Sequence, residues 1–599
     1  MKYIFKIAAG VLLTLLAFSC SDFLDKAPEE DITIQEAFLQ RNYAESFLTD
    51  AYADLPMEIH FTDMADINPF VLASDEFNVP WPEKFGKLMN RGAWNAYNAT
   101  GRVWINMYEG VRKSNIFLDN IHITPLSEEF TAKDKDRWIG EAILLRALYH
   151  FYVMRVYGPS PIMNYAADVS DDFTQIRRQP LDSCINFVLR ECDRAIPLLP
   201  MRAINNRQTG RMTAAVAYAL KARLLLYRAS DLWNGNPDYA NFKDNAGVEL
   251  FPQVKEEKWW AEAAAAAKKC IEECEAAGYT LYRTADDDPV QNYYRLFLDR
   301  YNNEVILGRN CGVEPVPEKC GFPRSQGGWA GWNVTQQQVD AYEMDNGIIP
   351  ITGYTSDGSP IIDSRSGYKE TGYAEEAGPA GRWPAGVRNM YVHRDPRFYA
   401  TVAYNGAMFK DKQIELWNTG ADGRGNEGRD YCTTGYLLKK YVDETCNIPQ
   451  GIFSLKTWIL FRLGEIYLDY AEALNEAEGP VSDVYYYVNQ IRDRAGMPAL
   501  PKDLSKSEMR ERIRHERRIE LAFETHRYFD CHRWKIAEKT DNGPIWGMNI
   551  SAGASLQDEA YYKRTLIENR IFKAPTHYLF PIFQDEIDKN PNLVQNPGW

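Results

Sequence analysis

Past its opening residues, this 599-residue chain has no apolar run approaching the roughly 20 residues that span a bilayer. A basic excess is missing as well. The 68 Lys and Arg are outnumbered by 83 Asp and Glu, for a formal net charge of −15. That balance argues against nucleic acid and against a basic membrane-binding face. It also disfavours a polyanionic ligand, unless cations are gathered locally in one groove. Cysteine is sparse and odd in number once Cys20 is set apart, leaving nine between Cys184 and Cys531. This is not the density of a small disulfide scaffold. Cys311–Cys320 and Cys432–Cys446 are the close loop pairs that a bridge would join, and free buried thiols fit equally well. Cys270 and Cys274 lie four apart on an expected helix with no histidine partner, so no zinc site is expected.

Catalytic motifs are absent or broken. No G-x-S-x-G elbow occurs. GRGNEG, Gly423 to Gly428, matches a dinucleotide-binding pattern in letters, but neither the strand before it nor the helix after it is expected. HERRI at His515 places Ile519 where a metalloprotease helix needs its second histidine, and His526 and His532 do not share its helical face. The acid pair Asp75–Glu76 has the residue type of a glycosidase. Catalysis needs two carboxylates about 5 to 9 Å apart across a sugar, and sequence does not supply that geometry. No catalytic residue, cofactor or metal is therefore expected, and nothing in the sequence speaks for a calcium ion.

What is present begins at the first residue. Lys2 and Lys6 precede an apolar run from Ile7 to Phe18, which stops at Cys20 before the chain turns acidic. A basic start, a run of about a dozen apolar residues and small residues before the break make a secretory signal peptide over 1–19. LLAFSC resembles a bacterial lipobox, with Ala17 at the position usually held by a larger aliphatic residue. Cys20 would then carry lipid as the first mature residue.

Aromatic residues are abundant, with 15 Trp and 36 Tyr. Most of the chain carries helical periodicity. GEAILLRALYHFYVMRVYG places Ala142, Leu145, Tyr149, Tyr152 and Val156 on one stripe and ends at Gly158-Pro159. Further helices are expected in PLDSCINFVLRECDRAIPLLP, TAAVAYALKARLLLYRAS, KWWAEAAAAAKKCIEECEAAG, WILFRLGEIYLDYAEALNEAEG and SDVYYYVNQIRDRAGMP. They come in pairs with alanines at close-packing positions, the character of tetratricopeptide-like hairpins without a clean 34-residue period. Between about residues 311 and 435 the character changes. This stretch holds nearly half of the 39 glycines, with Trp329, Trp332, Trp383 and Trp417. It reads as loops and short strands decorating the helical body, of the length that usually serves function. The expected divisions are 20–310, a loop-rich insertion 311–450, and a helical region 451–599.

An ordered series of stretches resembles the SusD/RagB family of outer-membrane nutrient-binding lipoproteins of the Bacteroidetes. These are CSDFLDKAPEEDIT, ASDEF, WINMYEGVRKSNIFLDNI, GEAILLRALYHFYVMRVYG, TGRMTAAVAYALKARLLLY, DPRF, RLGEIYLDYAEALNEA, ERRIELAFETHRYFDCHRW and the terminal LFPIFQDEIDKNPNLVQNPGW. Phe583 stands where the family usually has a second proline. The resemblance implies a mostly α fold, a SusD-like superhelix of tetratricopeptide-like pairs with a strand-bearing insertion. It also implies surface display on the outer membrane, non-catalytic glycan binding, and a SusC-like TonB-dependent transporter as partner. The same scaffold binding peptide, or serving mainly as a structural lid, remains the alternative. ERRIELAFETHRYFDCHRW is too mixed to have a clean polar face. It should therefore be an enclosed scaffold helix, with Arg517–Glu520 and Glu524–Arg527 pairs at helical spacing.

Sugars present apolar faces and a polar rim, so their sites combine flat rings with polar or charged hydrogen-bonding side chains. Two loop stretches offer that mixture. One supplies Trp81, Arg91, Trp94, Asn95 and Tyr97; the other supplies Arg324, Trp329, Trp332 and Asn333. The alternative for each ring is to pack its own loop against the body.

Overall fold

The computed structural model describes residues 32–61, 68–168, 170–425 and 428–599. Cys20 and the signal segment lie outside the described residues. The fold is mostly helical, organised by ten helices: α1 (Arg41–Ala53), α2 (Arg102–Asn120), α3 (Ala132–Tyr157), α4 (Leu181–Ala195), α5 (Ala214–Ala229), α6 (Lys258–Ala276), α7 (Leu463–Glu478), α8 (Ser482–Arg494), α9 (Lys506–Glu520) and α10 (His526–Arg533). Local chemistry sets their ends. Thr131 and Asp134 form a capping box at the start of α3, and Gly158 closes it with φ 74°. Ser505 and Glu508 do the same for the start of α9.

Each helix from α2 to α6 packs on the next, and α6 packs on α7, which packs on α8. The stack is thus continuous in space although residues 277–462 separate α6 from α7 in sequence. That detour explains why no clean repeat period is legible. The expected apolar stripe on α3 understates its burial, since every residue from Gly140 to Tyr157 is buried. The helix runs through the middle of the stack rather than along its surface.

Two expectations are corrected here. WILFR does not open a helix; it belongs to strand β6 (Leu455–Arg462), which ends at the start of α7. The ERRIEL…HRW segment is enclosed, as expected, but it is two helices. Phe523 and Thr525 adopt φ 59° and 69° and break it between α9 and α10. Buried polar groups hold the break: Lys440 Nζ donates to Ala522 O at 2.6 Å and to Glu524 at 2.8 Å, and Phe523 N faces the Glu76 carboxylate. The break redirects the charges, so the expected helical pairs do not form. Glu520 meets Arg397 and Arg462, Glu524 meets Arg462, Arg517 meets Asp469 and Asp530, and Arg527 meets Asp75.

Besides two short hairpins within 351–362 and 408–413, the strands are β1 (Phe77–Asn78), β2 (Val305–Val313), β3 (Asn333–Val334), β4 (Val402–Tyr404), β5 (Tyr436–Leu438), β6 (Leu455–Arg462), β7 (Gly543–Met548) and β8 (Arg564–Arg570). β2 and β6 form an antiparallel ribbon, with Trp458 opposite Arg309 and Phe461 opposite Leu307. A four-stranded sheet runs β1-β3-β5-β4 and is buried throughout. The insertion is therefore part of the core as well as surface loops, because its own strands pair with the segment after the first helices. All nine described cysteines are free thiols, the Cys311–Cys320 and Cys432–Cys446 pairs included. Among the described residues no helix is long and apolar enough to cross a membrane, and no group of three or more His, Cys, Asp or Glu is placed to hold a metal.

Candidate functional site

Sheet register brings three distant loops together. Asn78 pairs with Asn333, and Asn333 pairs with Leu437. Asn333 Oδ1 accepts from both the amide and the hydroxyl of Thr433 at 2.8 Å, which ties in the segment before β5. Asn333 is fully buried in this role, so it is a structural pin and not a surface hydrogen-bonder. Trp332 is also lost to the core, stacked 4.7 Å from Phe61.

The loop before β3 is bound to the body by its backbone. Trp329 N donates to Lys319 O at 2.6 Å, Gly331 N to Cys320 O at 2.8 Å and Ala330 N to Phe322 O at 3.1 Å. Close approach fixes two of its residues as glycine. A Cβ on Gly328 would overlap the Phe322 carbonyl, and one on Gly331 would overlap the Trp81 ring. The result is a rigid loop that presents one ring outward: Trp329 is 40% exposed.

Trp81 is buried beneath it, edge-on to Trp329 with centroids 6.2 Å apart, and its Nε1–H donates to Asp430 Oδ1 at 2.8 Å. Around these rings lie the Arg429–Glu83 ion pair, Lys319 with Nζ 5.9 Å from the Trp329 ring, and Arg424 stacked 4.2 Å over Tyr431. Arg324 comes close to the same loop, near Gly428. An exposed indole ringed by charged donors and acceptors can bind a ligand with an apolar face and a polar edge.

The other half of the sequence expectation divides differently. Trp94 is only 4% exposed; Phe580 and Trp599 pack on it with centroids at 4.7 and 4.5 Å. Burial under the C-terminal residue removes it from any surface platform. Arg91, Asn95 and Tyr97 are exposed, Tyr97 by 76%, but Asn95 Oδ1 caps the turn by accepting from Tyr97 N at 2.9 Å. Trp81 and Trp329 are thus brought together, and the structure gives Trp94 a packing role against the C-terminal segment.

Sequence reading missed Glu83, Lys319, Arg424, Arg429, Asp430 and Tyr431. Most flank the glycine-rich stretch that was weighed only as a nucleotide loop. Its usable signal was the RDY that follows the glycines. The acid pair Asp75–Glu76 sits inside the protein. Arg527 clamps Asp75 through two hydrogen bonds of 2.8 and 2.9 Å, and Glu76 is fully buried.

A family model described as the SusD family matches residues 294–599. The chain belongs to that family. A second model of the SusD group, described as starch-binding and associating with the outer membrane, matches residues 22–226. A SusD-like protein of Formosa agariphila is 22% identical over 98% of this chain and 97% of its own length. A solved SusD-like protein from Bacteroides fragilis is 25% identical, covers 96% of this chain and 100% of its own, and superposes with a TM-score of 0.72. A second structure from Bacteroides fragilis, named a SusD-like carbohydrate-binding protein, is 23% identical over 93% of this chain and 100% of its own, with a TM-score of 0.70. The helical stack with its buried sheet is therefore a SusD-type fold.

Proposed function

We propose that this SusD-family protein is a non-catalytic glycan-binding lipoprotein, anchored at the outer membrane through lipid on Cys20. It captures oligosaccharide and passes it to a SusC-like TonB-dependent transporter. The observation that carries the binding role is the outward Trp329 ring, held rigidly over Trp81 and bordered by charged groups. The description of the second matched model as starch-binding supports the ligand class, and the acid-pair geometry supports the absence of hydrolysis. Asp75 and Glu76 are both buried, with Asp75 clamped by Arg527, so neither is available to a sugar.

The test is affinity electrophoresis of the full-length protein, purified in mild detergent, through gels containing single polysaccharides. Retardation by at least one glycan, lost in Trp329→Ala and kept in Trp94→Ala, is expected. Retardation by none, or release of reducing ends from any glycan, would overturn the reading. For the anchor, Cys20→Ala is expected to free the protein from the membrane fraction or leave it unprocessed.

A further inference from the structure

The chain as a whole is acidic, yet three cations border the candidate site without an acidic partner among the described residues. Lys84, at the turn after Trp81, Lys319 and Arg424 are all part-exposed, and none of them pairs with a carboxylate among the described residues. Lys319 faces the Trp329 and Phe453 rings, at 5.9 and 5.8 Å, and Arg424 faces Tyr431. Burial pushes the Cys320 thiol beneath the loop up, and there the charges of Lys84 and Lys319 act against those of Asp430 and Glu314.

The nearby described acids do not balance them. Glu83 is paired with Arg429, while Asp430 accepts the neutral Trp81 indole N–H and keeps its charge. Asp422 is buried and accepts from Ser325 N and Glu415 N. Among the described residues, three unpaired cations therefore face solvent beside the ring against the one uncompensated part-exposed carboxylate of Asp430. Screening at physiological salt cuts the field off beyond about 8 Å, so these neighbours outweigh the −15 spread over the whole molecule.

We infer that the ligand of this site is an anionic glycan, bearing uronate carboxylates or sulfate esters, with sugar faces on Trp329 and Tyr431 and its charges met by Lys84, Lys319 and Arg424. This rests on the glycan-binding reading above and narrows it. Arg424 suits a planar carboxylate or a sulfate through its forked donors, and the lysines act as point charges along the strand.

The experiment runs the full-length protein through gels of a neutral glucan, a polyuronate and a sulfated galactan. Wild type is compared with Trp329→Ala, Lys319→Met and Arg424→Gln; the last two keep the packing of the stems. The expected result is retardation by the polyuronate, the sulfated galactan or both, weakened on the order of tenfold by each charge substitution. It should fade as salt rises from about 0.05 to about 0.5 M and disappear in Trp329→Ala. Retardation by the neutral glucan alone, abolished by Trp329→Ala and unchanged by the charge substitutions, overturns this inference and leaves the glycan-binding reading standing. Retardation by none of the three, extended to none on a broad panel, overturns both. Acidic glycans held equally by wild type and Trp329→Ala would mean diffuse charge attraction and also overturn it.

Discussion

Charged and aromatic side chains meet densely in two places in this molecule, with opposite results. At the junction of β6, α8 and α9, Glu520 is shared by Arg397 at 3.0 Å, Arg462 at 2.8 Å and Arg494. Arg397 also holds Asp395 and Glu516, and Arg462 holds Glu304 and Glu524. Every member is buried and has partners, so the cluster fixes the mutual position of helices and strands and has nothing left to offer a ligand. At the Trp329 loop the same residue types are part-exposed and several are without a counter-charge. Composition does not separate scaffold from site. What separates them is whether the donors and acceptors are already spent inside the protein.

The sharpest way to break this contrast is to remove one charge from each place. Glu520→Gln keeps the volume but strips three guanidinium groups of a shared counter-charge. A loss of about 3–5 kcal/mol is expected in urea unfolding. Glu83→Gln, in the exposed pair with Arg429, should cost under about 1 kcal/mol. Similar losses from both would show that the loop charges are structural too. The rings make a second pair of comparable size. Trp94→Ala, enclosed by Phe580 and Trp599, is expected to lower stability by about 3–5 kcal/mol with glycan retention intact. Trp329→Ala should leave the unfolding midpoint nearly unchanged and abolish retention. Gly331→Ala lies between them. Its methyl would press on the Trp81 ring, so about 1–3 kcal/mol of stability and most glycan retention should be lost together.

Much of the scaffold was legible because its signals are local. Gly158-Pro159 and Gly278 end helices where they stand, and the alanine-rich faces of α5 and α6 pack as their spacing implies. WILF was misread because a short apolar run fits a buried strand or a helix equally, and only its pairing with β2 decides. The break at Phe523–Thr525 carries no glycine or proline; it is imposed by Lys440 and Glu76, which are remote in sequence. The site was half legible for the same reason. Trp94 and Trp329 look alike as loop tryptophans beside polar residues. One is covered by Trp599, about 500 residues away, and the other stays 40% exposed. Exposure is a tertiary property, and residue type reports it poorly.

The last expected effect, nearly silent at about pH 5, lies within the acid pair that first suggested catalysis. Asp75 and Glu76 are neighbours, yet Arg527 and Arg518 hold Asp75, and among the described residues no cation pairs with Glu76. Burial, and then the charge of Asp75, push the Glu76 carboxyl from an ordinary value near 4.5 up to about 8. A folded-state pKa raised above the unfolded one means that the folded protein binds the extra proton between those values. The contribution of Glu76 is therefore fully present below about pH 4.5 and is lost as pH rises through 8. Glu76→Gln keeps the shape and stays neutral throughout. Relative to wild type, its urea midpoint should be nearly unchanged at about pH 5 and higher at about pH 9. A variant that tracks wild type at both pH values would mean that Glu76 is ionised in the fold, with Arg527 and Arg518 neutralising both acids. The contrast between spent and unspent charge would then hold for every carboxylate along this buried seam.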